Sequence, residues 1–209
     1  MRMTMTGLTR RAAFALAAGA ALFAAPARAD EAAETYVRSV LAEANPIFDA
    51  PDQAARMAGI DELFDKHVDT RRVAMFVLGQ YARIITDEQK EQYVPLFKQY
   101  AKTVYRDTLS NYSGQRLEVT NSVDRSPRDI IVNSRVVGAK PGDQLANVTV
   151  HWRVYRNDAG EQSLFDAGAD GVWLAIEQQS QFKSVIANNG GGAKGIDALI
   201  ADLKAKVGE

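Results

Sequence analysis

The sequence predicts an α+β fold, and three observations carry that prediction. From Asp69 to Tyr112 it reads as two consecutive helices whose aromatic and aliphatic residues all point one way. After Tyr112 the apolar period changes from about 3.6 to 2 and stays so through four segments joined by short turns. Four strands connected in that way form an antiparallel meander, one face of which needs the helices as a cover.

In chain order, residues 1–29 carry Arg2, Arg10, Arg11 and Arg28 and no acid, then an apolar run from Ala12 to Ala25, then Ala27-Arg28-Ala29 before Asp30. That is the layout of a signal peptide, with a positive start, a short apolar centre and a small-residue cleavage site. The run is too short for a membrane span, which needs ~20 residues. Arg10-Arg11 ahead of it is compatible with twin-arginine as well as Sec export. Residues 30–209 are expected to form a single domain.

Within it, Tyr36, Val37, Val40, Leu41 and Ala44 give a helix over Asp30 to Phe48, ended by Asn45-Pro46. A second helix, Asp52 to Phe64, turns Ala55, Ile60, Leu63 and Phe64 inward. Both are expected to pack outside the organising pair. In that pair, Asp69 or Thr70 caps a first helix with Val73, Phe76, Val77 and Ile84 on one face. Thr86-Asp87-Glu88-Gln89 is a capping box opening the second, where Tyr93, Leu96, Phe97, Tyr100, Val104 and Leu109 form the apolar stripe and Pro95 predicts a kink. Such a stripe serves equally as domain core or as the wall of a groove, and periodicity does not separate the two.

The strands begin with Leu117, Val119 and Val123, turn at Arg125 to Asp129, and resume at Ile130, Val132 and Val136. Pro141-Gly142-Asp143 is the next turn. From Leu145 to Tyr155, Val148, Val150, Trp152 and Val154 face one way and His151, Arg153 and Tyr155 the other. After Asn157 to Gly160 a fourth strand runs from Gln162 to about Ile176, with a bulge expected at Gly168 or Gly171. Helices Glu177 to Asn188 and Gly195 to Val207 close the chain, the first burying Phe182, Val185 and Ile186.

Without residues 1–29 the chain has 21 basic and 26 acidic residues, net about −5, which argues against a nucleic-acid partner. There is no cysteine, so neither a disulfide nor a lipidated N-terminus is available, and the core alone holds the domain. The two histidines, His67 and His151, lie in different elements with no ligand-like spacing, so no metal is expected. His151, Tyr155, Asp166 and Asp170 are the groups available for acid–base chemistry in a cavity enzyme of isomerase or hydratase type. Asp166 and Asp170 read more simply as solvated turn and strand-edge residues. Gly190 to Gly195 lacks the order of a phosphate loop and reads as a link and helix start.

Several strings, taken together in order, resemble the MlaC or toluene-tolerance family of periplasmic phospholipid-binding proteins. They are Phe76-Val77-Leu78-Gly79-Gln80-Tyr81-Ala82-Arg83 followed by Thr86-Asp87-Glu88-Gln89, then Tyr93, Phe97, Thr103, Tyr105, Leu109 and Tyr112. Phe165-Asp166, Gly171-Val172, Gln181-Phe182, Leu199-Ile200 and Leu203 complete the set. Gln162-Ser163, Trp173 and Gln178-Gln179 depart from the family's usual residues, and Trp173 bears on cavity shape and cargo. The resemblance implies a curved four-stranded antiparallel sheet, an NTF2-like cone, covered by helices around an apolar lipid cavity.

It also implies a carrier without cofactor or covalent chemistry. Its partners would be a phospholipid, or a hopanoid-type lipid as in one branch of the family, an inner-membrane ABC transporter's lipid-binding subunit and an outer-membrane lipoprotein complex. The expected lipid-binding residues are Phe76, Val77, Tyr93, Phe97, Tyr100, Val104, Val148, Val150, Trp152, Leu174 and Phe182. A cavity enzyme and a periplasmic adaptor with a filled core are the alternatives.

Overall fold

The computed structural model describes residues 30–109, 116–139 and 148–209. The expected export segment and the turn at Pro141-Gly142-Asp143 lie outside them. Six helices are described: α1 Glu31–Asp49, α2 Gln53–His67, α3 Thr70–Val77, α4 Asp87–Leu109, α5 Leu174–Asn188 and α6 Gly192–Val207. The strands are β1 Arg116–Ser126, β2 Asp129–Val137, β3 Thr149–Arg156, β4 Gln162–Ala169 and β5 Val172–Trp173. They pair in sequence order, each antiparallel to the next. The α+β meander is therefore as expected, with one more strand than four.

The helix starts follow their caps. Asp30, Asp52 and Asp69 accept from the backbone N–H groups of Ala33, Ala55 and Arg72, freeing none of those first-turn donors to be buried unpaired. At α4 the capping box is closed in both directions, Gln89 N–H to Thr86 Oγ1 and Thr86 N–H to Gln89 Oε1, each 3.2 Å. The Gln89 amide also donates to Ala193 O and Asp197 on α6, so one side chain caps a helix and ties it to its neighbour.

Two prolines are carried inside helices. Pro46 was expected to end the first helix but sits within its last turn, so the helix runs only three residues beyond it, to Asp49. Pro95 lies in the uninterrupted α4, and both it and Glu91, whose carbonyl it crowds, are exposed, so water can take up the freed carbonyl. The first helix of the pair is shorter than expected: it ends at Val77, Gly79 takes φ +57°, and Gly79–Arg83 is a 3₁₀ turn. Ile84 falls beyond that turn and is 51% exposed, off the apolar face assigned to it.

The long last strand is likewise divided. Asp170 and Gly171 both have positive φ (49° and 86°), making a tight turn between β4 and β5, and α5 begins at Leu174. Gly168 and Gly171 are not the bulge. Arg153 pairs with Asp166 but Val154 with Leu164, so Phe165 is the extra residue.

Two apolar cores result. In the helical one Tyr93, Phe97 and Phe182 meet at ring separations of 6.0–6.4 Å with α6's Ile196, Leu199 and Leu203 around them. The smaller joins Ala33 and Val37 of α1 to Ile130, Val132 and Val154 of the sheet. α1 thus covers the sheet across β1 and β2 instead of packing outside the helical pair. Asp30 accepts from Arg156 at 2.7 and 2.8 Å, and Ser122 donates to Glu34 at 3.0 Å, which fixes α1 there. Burial alone would raise the Asp30 carboxyl, but the bonds from Arg156 and Ala33 outweigh it and hold the group below its ordinary value.

Candidate functional site

Between the two cores lies a partly open cavity of about 120 Å³. α1 contributes Val40, Leu41, Ala44 and Phe48 to it, α2 Ile60, Leu63 and Phe64, α4 Tyr105, and the sheet Leu117, Trp152 and Leu164, with Asn45, His67 and Val68 completing the wall. It exists because α1 bridges the sheet while α2 bridges α1 and α4, leaving a triangular gap that the side chains do not fill.

Two polar groups of this wall, the Trp152 indole and the His67 ring, are turned to other partners. Trp152 donates its indole N–H to Ser134 Oγ at 2.9 Å, and Ser134 donates on to Val150 O, so the apolar body of the ring remains for the cavity. His67 Nε2 meets Glu43 at 3.0 Å and Nδ1 meets the Tyr36 hydroxyl at 3.3 Å. Bonds from Lys66, then from His67, hold the Glu43 carboxyl below its usual range. Burial pushes the Tyr36 phenol up to about 12 and raises that of Tyr105 as well. Every ionisable group near the gap is thus neutral or already paired, and what the gap offers is apolar surface.

Phe64 and Tyr105 meet edge-on at 5.4 Å. Together with Val68 they also border a second void of about 10 Å³ that reaches Phe97 and Leu174. This ring pair is the partition between the two spaces.

The eleven residues singled out in the sequence separate into groups. Trp152 lines the main cavity, and Phe97 and Leu174 line the small void behind the partition. Val77, Tyr93 and Phe182 are fully buried in the helical core, the Tyr93 hydroxyl donating to Ala74 O at 2.8 Å. Tyr100 packs on Phe182 at 5.7 Å with Lys206 over its ring, and Val104 is half-buried on α4. Val150 lies in β3 opposite Ser134 and Ala169, just after Val148. Phe76 stands against Phe165 at 5.0 Å, lining a separate open cleft of about 550 Å³ with Asp69, Arg71, Arg72 and Met75. That cleft is larger but open and rimmed by charge, so it does not exclude water.

The α1 and α2 residues of the wall are legible in the sequence as helix faces, but not as parts of a site. The signal was present: Val40, Leu41, Ala44 and Phe48 share one side of a helix, as do Ile60, Leu63, Phe64 and His67. Two apolar stripes on neighbouring helices, with the organising pair already filled, require a further surface to face.

The acid–base candidates do not share a pocket. His151 is stacked on Trp173 at 5.7 Å and bonded to Asn133 at 2.6 Å, on the sheet face opposite Trp152. The Tyr155 ring lies under the Arg72 guanidinium at 3.4 Å. Asp170 is exposed in its turn. Asp166, expected in solvent, is instead 2% exposed, held by the backbone N–H groups of Ala167 and Ala175.

No helix among the described residues is long and apolar enough to cross a membrane. Comparison with known proteins matches residues 33–205 to the model of the family described as MlaC protein. The intermembrane phospholipid transport system binding protein MlaC of Haemophilus influenzae is 23% identical over 129 residues, which are 61% of this chain and 57% of that protein's length. Among solved structures, the phospholipid-binding protein of Ralstonia solanacearum, determined in complex with a phospholipid, is 22% identical with a TM-score of 0.67, covering 85% of this chain and 99% of that one. That likeness establishes the fold.

Proposed function

Because this chain belongs to the MlaC family, we propose that it is a lipid carrier that takes phospholipid acyl chains into the gap between α1, α2 and the sheet. The observation that carries this reading is the cavity walled almost wholly by aliphatic and aromatic side chains, with the Trp152 indole and the His67 ring bonded elsewhere. The names of the two relatives, one a transport-system binding protein and one holding a phospholipid, support the choice of cargo.

The energetics fit a carrier. Each CH₂ is worth ~0.8 kcal/mol against water, so a lipid with two ordinary chains does not diffuse as a free monomer. A protein that replaces one apolar surrounding by another removes that barrier without chemistry, and direction comes from its partners. A cavity near 150 Å³ holds a molecule the size of benzene, so a volume of about 120 Å³ accepts only a segment of one chain. Loading therefore parts the walls, and displacing the Phe64–Tyr105 pair joins the main cavity to the void at Phe97 and Leu174. Of the sequence-derived residues, Trp152, Phe97 and Leu174 are the ones we assign to the cargo path, alongside Leu41, Ala44, Leu63 and Leu164.

Residues 1–29 act in this reading as a cleaved export signal, and the mature protein works in the periplasm between an inner-membrane transporter subunit and an outer-membrane lipoprotein complex. The test is mass spectrometry of residues 30–209 isolated from a periplasmic extract, native and after solvent extraction. One phospholipid or hopanoid per protein is expected, lost in Leu41→Glu. A protein that stays empty after incubation with phospholipid vesicles refutes the carrier.

A further inference from the structure

The seam between α2 and α4 is built in two layers. Inside, Ile60 and Phe64 of α2 and Tyr105 of α4 face the cavity. Outside, one residue further along each helix, runs a line of ion pairs. Asp65 receives Lys98 at 2.8 Å and Lys102 at 2.7 Å, and Asp61 is held bidentately by Arg106, with Nε at 2.7 Å. The cations recur every four residues, so they form a straight ridge on α4, and Asp61 and Asp65 recur every four on α2. Three cations meet two carboxylates along the seam. A third carboxylate, Asp107, lies one residue beyond Arg106, about 100° around the helix.

α2 is the lightest of the cavity's walls. It buries only Ile60, Phe64 and His67, whereas α1 is pinned to the sheet through Asp30 and Glu34, and α4 carries Tyr93 and Phe97 into the helical core. Admitting acyl chains by moving α2 pulls Asp61 and Asp65 away from the ridge. It leaves Lys98, Lys102 and Arg106 beside the opened cavity, where a phosphate diester can restore the missing negative charge.

We propose that Lys98, Lys102 and Arg106 are the headgroup-phosphate site of the carrier, and that Asp61 and Asp65 occupy it in the closed state in place of the lipid anion. This rests on the carrier reading above. The guanidinium of Arg106 supplies a planar fork suited to two phosphate oxygens and the lysines supply point charges. A phospholipid is then recognised twice, by its chains inside the seam and its phosphate outside.

The full mature chain is incubated with vesicles doped either with phosphatidylglycerol or with a diacylglycerol of the same chains, which lacks the phosphate, and bound lipid is counted after extraction. For Lys98→Gln, Lys102→Gln and Arg106→Gln combined, phosphatidylglycerol loading is expected to fall at least about tenfold while diacylglycerol loading is unchanged. Asp61→Asn with Asp65→Asn is expected to speed phosphatidylglycerol loading several-fold, since the competing anions are gone. Equal loss of both lipids in the cation variant, or slower loading in the aspartate variant, overturns the site by showing that the seam only holds the fold together. Micromolar binding of inorganic phosphate to the lipid-free protein overturns the lipid assignment in favour of a soluble phosphate ligand. Wild-type protein that takes up neither lipid refutes the carrier reading itself and not this site alone.

Discussion

Asp166 shows how far a single side chain can be carried from its preferred setting by backbone register. Its Oδ1 accepts from Ala167 N–H at 2.8 Å and Ala175 N–H at 2.9 Å, while Oδ2 is buried without a partner. α5 has no side-chain cap of its own at Trp173, so a carboxyl from β4 takes that role. Burial raises the Asp166 pKa to about 6, partly opposed by the two backbone bonds and by Arg153. In the unfolded chain it titrates near 3.8. Between those values the native state holds more protons than the unfolded one, so this residue's contribution to stability is greatest below pH 4 and declines as pH rises through 6. The difference is on the order of 3 kcal/mol by pH 7. Denaturant melts of the wild type and Asp166→Asn at pH 4, 5, 6 and 7 are expected to differ in slope, the variant lacking this decline; parallel profiles would sink the assignment. Trp152 and Val154 were legible in the sequence because strict alternation puts them on one face. Asp166 was not, since the bulge at Phe165 reverses the alternation locally and nothing in the order of residues marks it.

At the scale of elements, the closing hairpin depends on one glycine. A Cβ on Gly168 would stand 2.6 Å from Val172 O and 3.0 Å from the Trp173 ring. Trp173 therefore lies flat across β4 at this residue, which is what lets it stack on His151. Gly168→Ala is expected to push β5 off the sheet at a cost of roughly 1–3 kcal/mol and to change the fluorescence of Trp173. A variant within about 0.5 kcal/mol of wild type, the usual range for surface changes, would show that the hairpin yields freely. The turn itself is written in the sequence as Asp170-Gly171, a dipeptide suited to two consecutive positive φ values. It is masked there by the apolar run Val172-Trp173-Leu174, which continues the strand pattern straight across it. By contrast the capping box at Thr86 is read correctly because all its partners lie within four residues.

For the whole molecule, the cavity is a consequence of arrangement that no local pattern encodes. The helix faces carrying Val40, Ala44, Ile60 and Phe64 were legible. That α1 lies across the sheet depends on contacts between residues 88 and 126 positions apart, Glu34 with Ser122 and Asp30 with Arg156. If the gap is a functional void, filling it should trade cargo for stability. Ala44→Phe is expected to stabilise the lipid-free protein by about 0.5–2 kcal/mol and to reduce lipid uptake; a destabilised variant that still loads normally would mean that the space near Ala44 is closed to both ring and lipid. The backbone tie at the end of α2 sets how such a space can open. Val68 bridges to Leu164, and Asp69 N–H donates to Leu164 O at 3.2 Å, fastening the His67 end of α2 to β4. A helix of 15 residues is about 22 Å long, so a door hung at that tie and turned through roughly 20° sweeps its Gln53 edge some ~8 Å while the hinge edge stays put. Arg106, opposite Asp61, is then uncovered before Lys98, opposite Asp65, and a lipid would be admitted from one edge inward.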